Sequence, residues 1–456
     1  MGQDVDKARF SEAEFSRFGE RLREQLIQLR DLLDEPGFGQ GPTTIGAELE
    51  LFLVDGNGDP MPRGEELIAE LDDPRLTPEL GRYNLEVNLT PVPLEGRPFE
   101  ALGAEIQETL TMVDAAAARV GGGALPIGIL PTLGTGDFTR AAMSDEARYH
   151  ALARGMRRLR LEPFIVKIDD LELEVEHVIL ESANTSWQVH LRTPPDRFAR
   201  LFNAAQLAIG PVLAVSGNSP FFLGKSLWEE TRIALFEEAA DDRDIARLAR
   251  RDGRVGFGSD WVREGAYELF ERYVEDYDPV MPMLSDEPGL PELRLHQGTV
   301  WQWNRPVYDP ADGGHLRIEM RALPSGPTCA DMAANTAFLL GLTLALGERD
   351  LTELPFAMAY QNFYRAAMDG LDAKLDWFDG QVRAGDLVLS LLPSARAGLL
   401  AAGVVPSDAD TALGVIADRT RLGRTGAVWQ RENQGEGLVM RYRELALSGL
   451  PVHMWP

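Results

Sequence analysis

Thr44-Ile45-Gly46-Ala47-Glu48-Leu49-Glu50-Leu51-Phe52-Leu53 alternates so regularly that it reads as a β-strand with one apolar and one acidic face. Successive strand residues point to opposite sides, so Ile45, Ala47, Leu49, Leu51 and Leu53 share one face and Glu48 and Glu50 the other, roughly 6.5–7 Å apart at their backbones. That spacing suits two carboxylates reaching neighbouring magnesium ions, which take hard oxygen ligands.

The pattern returns three times downstream. Tyr83, Leu85, Val87 and Leu89 oppose Asn84, Glu86, Asn88 and Thr90; Trp187, Val189 and Leu191 oppose Ser186, Gln188, His190 and Arg192; Leu316, Ile318, Met320 and Ala322 oppose His315, Arg317, Glu319 and Arg321. Any one of these is also the pattern of an ordinary half-buried antiparallel strand with its polar face in water. A merely solvated face is dominated by Lys, Thr and Ser, whereas these four carry carboxylates, amides, imidazoles and guanidiniums. Within one sheet they combine cation ligands with fixed positive charge, as phosphoryl transfer requires.

Outward from these strands, periodicity predicts an amphipathic helix over residues 11–34 and a connection at Glu35-Pro36-Gly37. A second helix runs from Phe99 through Leu102, Ile106, Leu110, Val113 and Ala117 to Val120, covers a sheet, and stops at Gly121 to Gly123. Further helices are expected at about 145–160, 195–215, 228–248, 260–274 and 328–348. A Leu171–Leu180 strand is expected to turn back at Ala183-Asn184 into the strand bearing Gln188. The mixture favours an α+β architecture over regular βαβ alternation. Three stretches follow: 1–42 as helix and connection, 43–350 as catalytic body, and 351–456 as a mainly helical region whose Val452, Met454 and Trp455 dock on that body.

The chain has 456 residues and a formal net charge of −27, which disfavours binding to nucleic acid or to an anionic membrane. Cys329 stands alone, so neither an intrachain disulfide nor a cysteine-based zinc site can form, and a reducing cytoplasm fits. Asp4, Asp6, Glu12 and Glu14 interrupt any apolar run at the amino terminus, which reads as neither signal nor anchor. Positions 203–223 come nearest to a membrane span but are expected to be broken by Gly210, Pro211, Gly217, Asn218 and Pro220. Small-molecule partners are expected, with homo-oligomerisation open.

Gly46-Ala47-Glu48-Leu49-Glu50, Asn84 to Pro91, Trp187-Gln188-Val189-His190, Asn218-Ser219-Pro220 and Arg317-Ile318-Glu319-Met320-Arg321, in that order, resemble the family 2 glutamate-cysteine ligases of the glutamine synthetase-like carboxylate-amine ligases. The resemblance spans roughly residues 43–330. It implies a curved antiparallel sheet carrying the active site and covered by helices. It also implies metal ligation by Glu48, Glu50, Glu86 and Glu319, with Glu79 added seven residues before Glu86. Gln188 falls where many relatives place His and plant-like members Gln, whose amide oxygen can coordinate magnesium. His190 is assigned to substrate or nucleotide contact, and Arg317, Asn88, Arg305 and Lys225 to the same class, although no Walker A pattern surrounds Lys225.

Arg321 is the first choice for stabilising the moving phosphoryl group, because a planar guanidinium makes two parallel bonds to phosphate oxygens. Arg232 is the second, its alternative being a helix-surface partner of Glu229. Trp301, Trp303 and Tyr308 read either as walls of the substrate site or as core aromatics. The implied reaction uses ATP and Mg2+, or Mn2+, to activate a carboxylate, glutamate's γ-carboxylate by resemblance, as an acyl phosphate that cysteine or another amine attacks. Two rivals remain at this stage: a noncatalytic nucleotide-binding protein of the same fold, and a metal-dependent phosphohydrolase.

Overall fold

The computed structural model describes residue 5, residues 7–243 and residues 251–456. Its centre is the strand that opened the sequence reading, Thr44–Asp55, in which Ile45, Ala47, Leu49 and Leu51 are buried on alternate positions. It lies within an eight-stranded sheet. The order across the main path is Asn304–Asp309, His315–Pro324, Ser186–Thr193, Thr44–Asp55, Asn84–Asn88 and Leu76–Pro78, with Val92–Pro93 and Gly122–Leu125 pairing to the two ends of Thr44–Asp55. Every pairing is antiparallel. The four alternating segments are therefore members of one sheet, and the expected α+β class is the one adopted.

Helices cover the apolar back of the sheet. Cys329–Leu346 packs against Pro98–Arg119, Phe198–Ser216, Ala384–Ala401 and Pro406–Leu422, and Trp187 Nε1 donates to Thr336 Oγ1 (2.9 Å), tying the strand's back face to that helix. Thr328 caps it by accepting from the Asp331 amide. Buried Arg419 reaches the same helix from Pro406–Leu422, pairing with Asp331 (2.6 Å) and Asn335 (2.7 Å). Among the described residues, the main apolar core takes side chains from all three stretches of the chain.

Several expectations change in detail. Glu12–Leu33, Pro98–Arg119, Ala147–Leu159 and Cys329–Leu346 match the predicted helices closely. The 228–248 helix is realised as Arg232–Ala239, and positions 244–248 lie outside the described residues. Gly210 and Pro211 do not break their helix, which runs from Phe198 to Ser216. A Cβ on Gly210 would come within 3.1 Å of Asn362 Cβ, so glycine there admits the neighbouring Phe356–Asp369 helix. Tertiary packing overrides local propensity at this point.

Among the described residues, three helical segments, Pro195–Ser216, Cys329–Leu346 and Ala384–Ala401, are by length and composition apolar enough to cross a membrane; their most apolar windows are 89%, 78% and 44% buried within the protein. Gly121 has a positive φ of 83° and ends its helix as expected, but Gly122 and Gly123 open the strand Gly122–Leu125. A Cβ on Gly123 would displace the Arg443 guanidinium, which is paired with Asp114. Leu171–Val175 pairs with Phe164–Ile168 across a turn in which Asp169 adopts φ 51°, and a 3-10 segment, Val178–Ala183, then leads into Ser186–Thr193. The expected turn-back at Ala183-Asn184 is thus replaced. Val452 and Trp455 are buried, Trp455 edge-to-face with Trp429 and Tyr442, whereas Met454 is exposed.

Candidate active site

Strand register builds the site. Glu50 stands opposite Glu86, and Glu48 lies between Asn88 on one side and Gln188 on the other. His190 faces Gly46 and Glu319, and Glu319 in turn faces Arg305. Antiparallel neighbours directly across from one another bring their side chains together on one face. Two groups result: Glu50, Glu79 and Glu86, and Glu48, His190 and Glu319, each offering one ligand atom per residue with all three atoms within 4.8 Å of one another.

The first group is short of positive charge. Glu50 accepts from the Ser186 amide (2.6 Å) and Gln188 Nε2 (2.7 Å), and Glu86 accepts from Thr77 Oγ1 (3.1 Å) and Asn88 Nδ2 (2.9 Å). Burial pushes the Glu86 carboxyl up to about 7, with Glu48 and Glu50 adding to the effect. Burial, then the charges of Glu86 and Glu50, drive Glu79 well above the usual carboxylate range. Glu50 is raised by burial too, against the pull of Arg321. Three crowded carboxylates that resist ionisation fit a divalent cation, which would supply the missing charge through hard oxygen ligands.

Charge is better balanced in the second group. Glu319 receives Arg305 Nε (2.9 Å) and Arg321 Nη1, and these two cations hold its carboxyl at about 2 in spite of burial. Burial opposes ionisation of Glu48 as well, and nearby positive charge, Arg321's among it, draws its carboxyl well below the usual carboxylate range. His190 Nε2 lies 3.3 Å from Glu48 Oε1, close enough for attraction, yet neither ring nitrogen is aligned for a hydrogen bond. Buried imidazole nitrogens left in this state beside two carboxylates also suit a metal ion. The histidine expected at a substrate or nucleotide contact is therefore placed among candidate metal donors.

Gln188 joins the groups. Its amide nitrogen donates to Glu50 while its oxygen accepts from Arg321 Nη1. A flipped amide would set its NH2 against the guanidinium, so this orientation is fixed by its partners. The oxygen expected to coordinate magnesium accepts from Arg321 in this structure. Asn88, expected near substrate or nucleotide, instead supports Glu86.

Arg232 is buried, donates to Glu230 Oε1 (3.2 Å) and to the Ala322 carbonyl, and lies 5.4 Å from the Trp303 ring centroid. Glu229 pairs with Arg431, so the helix-surface reading of Arg232 fails. Arg317, part-exposed, pairs with Asp309 (3.3 Å) and stands opposite Arg192 in register. Lys225 donates to the Asp170 carbonyl (2.8 Å) and carboxylate (2.7 Å) rather than to either group, a correction arising from the turn that presents Asp170. Trp303 and Tyr308 are core aromatics, Trp303 Nε1 donating to half-buried Glu237 (2.7 Å), and Trp301 packs on Phe236.

Glu181 escaped the sequence reading. It lies in the Val178–Ala183 segment, where neither the period of a strand nor that of an α-helix marks it. Burial, reinforced by Glu50 and opposed by Arg321, pushes its carboxyl up to about 8. Glu230 was also missed as a site residue. It accepts from the Asn218 amide (2.8 Å) and Ser219 Oγ (2.7 Å), linking the Asn218-Ser219-Pro220 motif to Arg232.

A solved glutamate-cysteine ligase from Francisella tularensis in complex with AMP aligns with 92% of this chain and 91% of its own, at 13% identity and a TM-score of 0.60. A bifunctional glutathione synthetase from Pasteurella multocida aligns with 94% of this chain and 56% of its own, at 13% identity and a TM-score of 0.47. No curated protein matches the sequence. The family model described as glutamate-cysteine ligase family 2 matches residues 44–443. Spanning the whole sheet and most of the helical region beyond it, that match makes the chain a member of glutamate-cysteine ligase family 2, and with it an ATP-dependent carboxylate-amine ligase.

Proposed function

We propose that the protein uses ATP to convert the γ-carboxylate of glutamate to an acyl phosphate and condenses that with cysteine or another amine. The observation that carries this reading is the pair of three-residue donor groups on one sheet face, with Arg321 acting on Glu48 and Glu50 together. Glu50, Glu79 and Glu86 would hold one divalent cation, and Glu48, His190 and Glu319 a second. Magnesium or manganese there supplies charge neutralisation and orientation of the polyphosphate.

The remaining roles belong to the chain itself. Arg321 offers its guanidinium to the phosphoryl group in transfer, where charge is spread over three oxygens. Gln188 and Arg305 position Arg321 and Glu319, Asn88 positions Glu86, and Arg232, itself held by Glu230, braces the Ala322 backbone beside Arg321. Arg317, at the more open end of its strand, is proposed for nucleotide contact. The complex of the Francisella ligase with AMP supports an adenine nucleotide as the phosphate donor class. The proposed partners are small molecules, and residence in the cytoplasm is proposed on the single cysteine.

The test is an acceptor screen of the full chain with ATP, magnesium and glutamate, following ADP and the mass of the product. A condensed γ-glutamyl product with release of ADP that requires both substrates is expected. ADP formed without an acceptor and without glutamate would establish a phosphohydrolase instead, and nucleotide binding with no turnover would establish the noncatalytic reading.

A further inference from the structure

Behind the edge strand Asn304–Asp309, on the side away from both donor groups, lies a cavity of about 380 Å3. Arg305 turns toward Glu319, so alternation sends the adjacent Asn304 to the opposite face, where it meets Gln206 of the helix Phe198–Ser216. Gln206, Gln302 and Asn304 line the cavity and are all at least nine-tenths buried.

Their amide orientations are set from the backbone inward. Gln206 Nε2 donates to the Phe257 carbonyl (2.6 Å), which turns its oxygen to Asn304 Nδ2 and leaves Asn304 Oδ1 without a partner. Gln302 Nε2 donates to the Gly253 carbonyl (3.0 Å) and to Tyr277 Oη (3.2 Å), leaving Gln302 Oε1 without a partner as well. Two buried carbonyl oxygens lacking donors are costly and call for N–H or O–H groups from outside the chain. The lining charge favours a cation. Arg243 and Arg251 are paired with Asp241 (2.8 Å) and Asp242 (2.7 Å) outside the lining, so the lining carboxylates Asp252, Asp260 and Asp276 are only partly offset, Asp276 by Arg272 and Arg251 together.

We propose that this cavity binds the ammonium head of a small organic amine, with Gln302 Oε1 and Asn304 Oδ1 accepting its N–H bonds and Asp252 and Asp276 supplying the counter-charge. The site is separate from the donor groups, so an amine held there is not the one undergoing condensation. Because Asn304 precedes Arg305 in one strand, occupancy would steady the backbone that aims Arg305 at Glu319.

The test is titration of the full chain, free of nucleotide and metal, with ethylammonium and with tetramethylammonium, read by ligand-observed NMR. Saturable binding of ethylammonium is expected, with tetramethylammonium, which has the charge but no N–H donor, at least about tenfold weaker, the ratio that 1.4 kcal/mol produces. Asn304→Leu should abolish binding. Should that variant fail to fold, Asp276→Asn on the exposed rim should weaken binding by about threefold with the fold intact. Glu48→Gln should leave it unchanged. No saturable binding, equal binding of the two cations, full affinity in Asp276→Asn, or loss in Glu48→Gln would each overturn the proposal; the first would leave a water-filled cavity, and the last would move the amine to the donor groups.

Discussion

Replacing Glu181 by Gln should make the metal-free protein more stable at alkaline pH, an unusual outcome for removing a charged side chain from an active site. The carboxyl is raised from 4.5 to about 8 by burial and by Glu50. The folded chain therefore keeps a proton there that the unfolded chain releases above pH 4.5. The unfolded state binds fewer protons across that window, so stability is fully present below pH 4.5 and falls as pH rises toward 8. At 1.36 kcal/mol per unit the complete loss is about 5 kcal/mol, an upper limit because neighbouring Glu79 and Glu50 share the titration. Gln keeps the shape of the protonated acid and removes the titration. Urea unfolding of both proteins in EDTA at pH 5 and pH 8 measures it: the stability difference between the two pH values should be smaller in Glu181→Gln by roughly 2–4 kcal/mol. Equal pH dependence in the two proteins would show that Glu181 does not carry a raised pKa and that the first donor group is less crowded than its geometry indicates.

Arg321→Ala and Glu48→Gln should each lower ligase turnover by at least about 100-fold, the scale of losing one preorganised charge in a transition state; ADP release measures this, with near-UV circular dichroism to establish that the fold persists. Gln188→Leu should cost about 10–100-fold in kcat by freeing Arg321 and Glu50 from each other, and full activity in that variant would remove the bridge from the mechanism. Lys225→Ala should leave kcat/KM within about twofold and stability within about 1 kcal/mol, since its pair with Asp170 is solvent-exposed. Thermal unfolding with and without magnesium should show a higher Tm with the metal for the native chain and a smaller increment for Glu86→Gln, and an equal increment in both would detach Glu86 from cation binding.

The sheet was legible because a period of two survives whatever the helices do. Glu48, Glu50, Glu86, His190, Glu319 and Arg321 all fall on strands whose apolar face is unmistakable, and register then brings the carboxylates and the imidazole together in two groups with Arg321 beside them. What was not legible depends on partners distant in the chain. Gln188's oxygen points to Arg321 only because Glu50 takes its nitrogen, and Lys225 is withdrawn by an aspartate in a turn more than fifty residues earlier. Glu181 sits in a short 3-10 segment with no periodic signature. Pro211 reads as a breaker, but packing against neighbouring helices carries the chain straight through it.

The two donor groups also differ in how far the chain must reach to assemble them. Glu50, Glu79 and Glu86 lie in one short tract, whereas Glu48, His190 and Glu319 close a loop from residue 48 to residue 319. Because closure entropy grows with the logarithm of loop length, the second group costs roughly 2 kcal/mol more to bring together. During synthesis the first donor group can assemble as soon as the early strands pair, while the second must wait for the strand bearing Glu319. A chain stalled before that strand would carry the first donor group without Arg321 beside it.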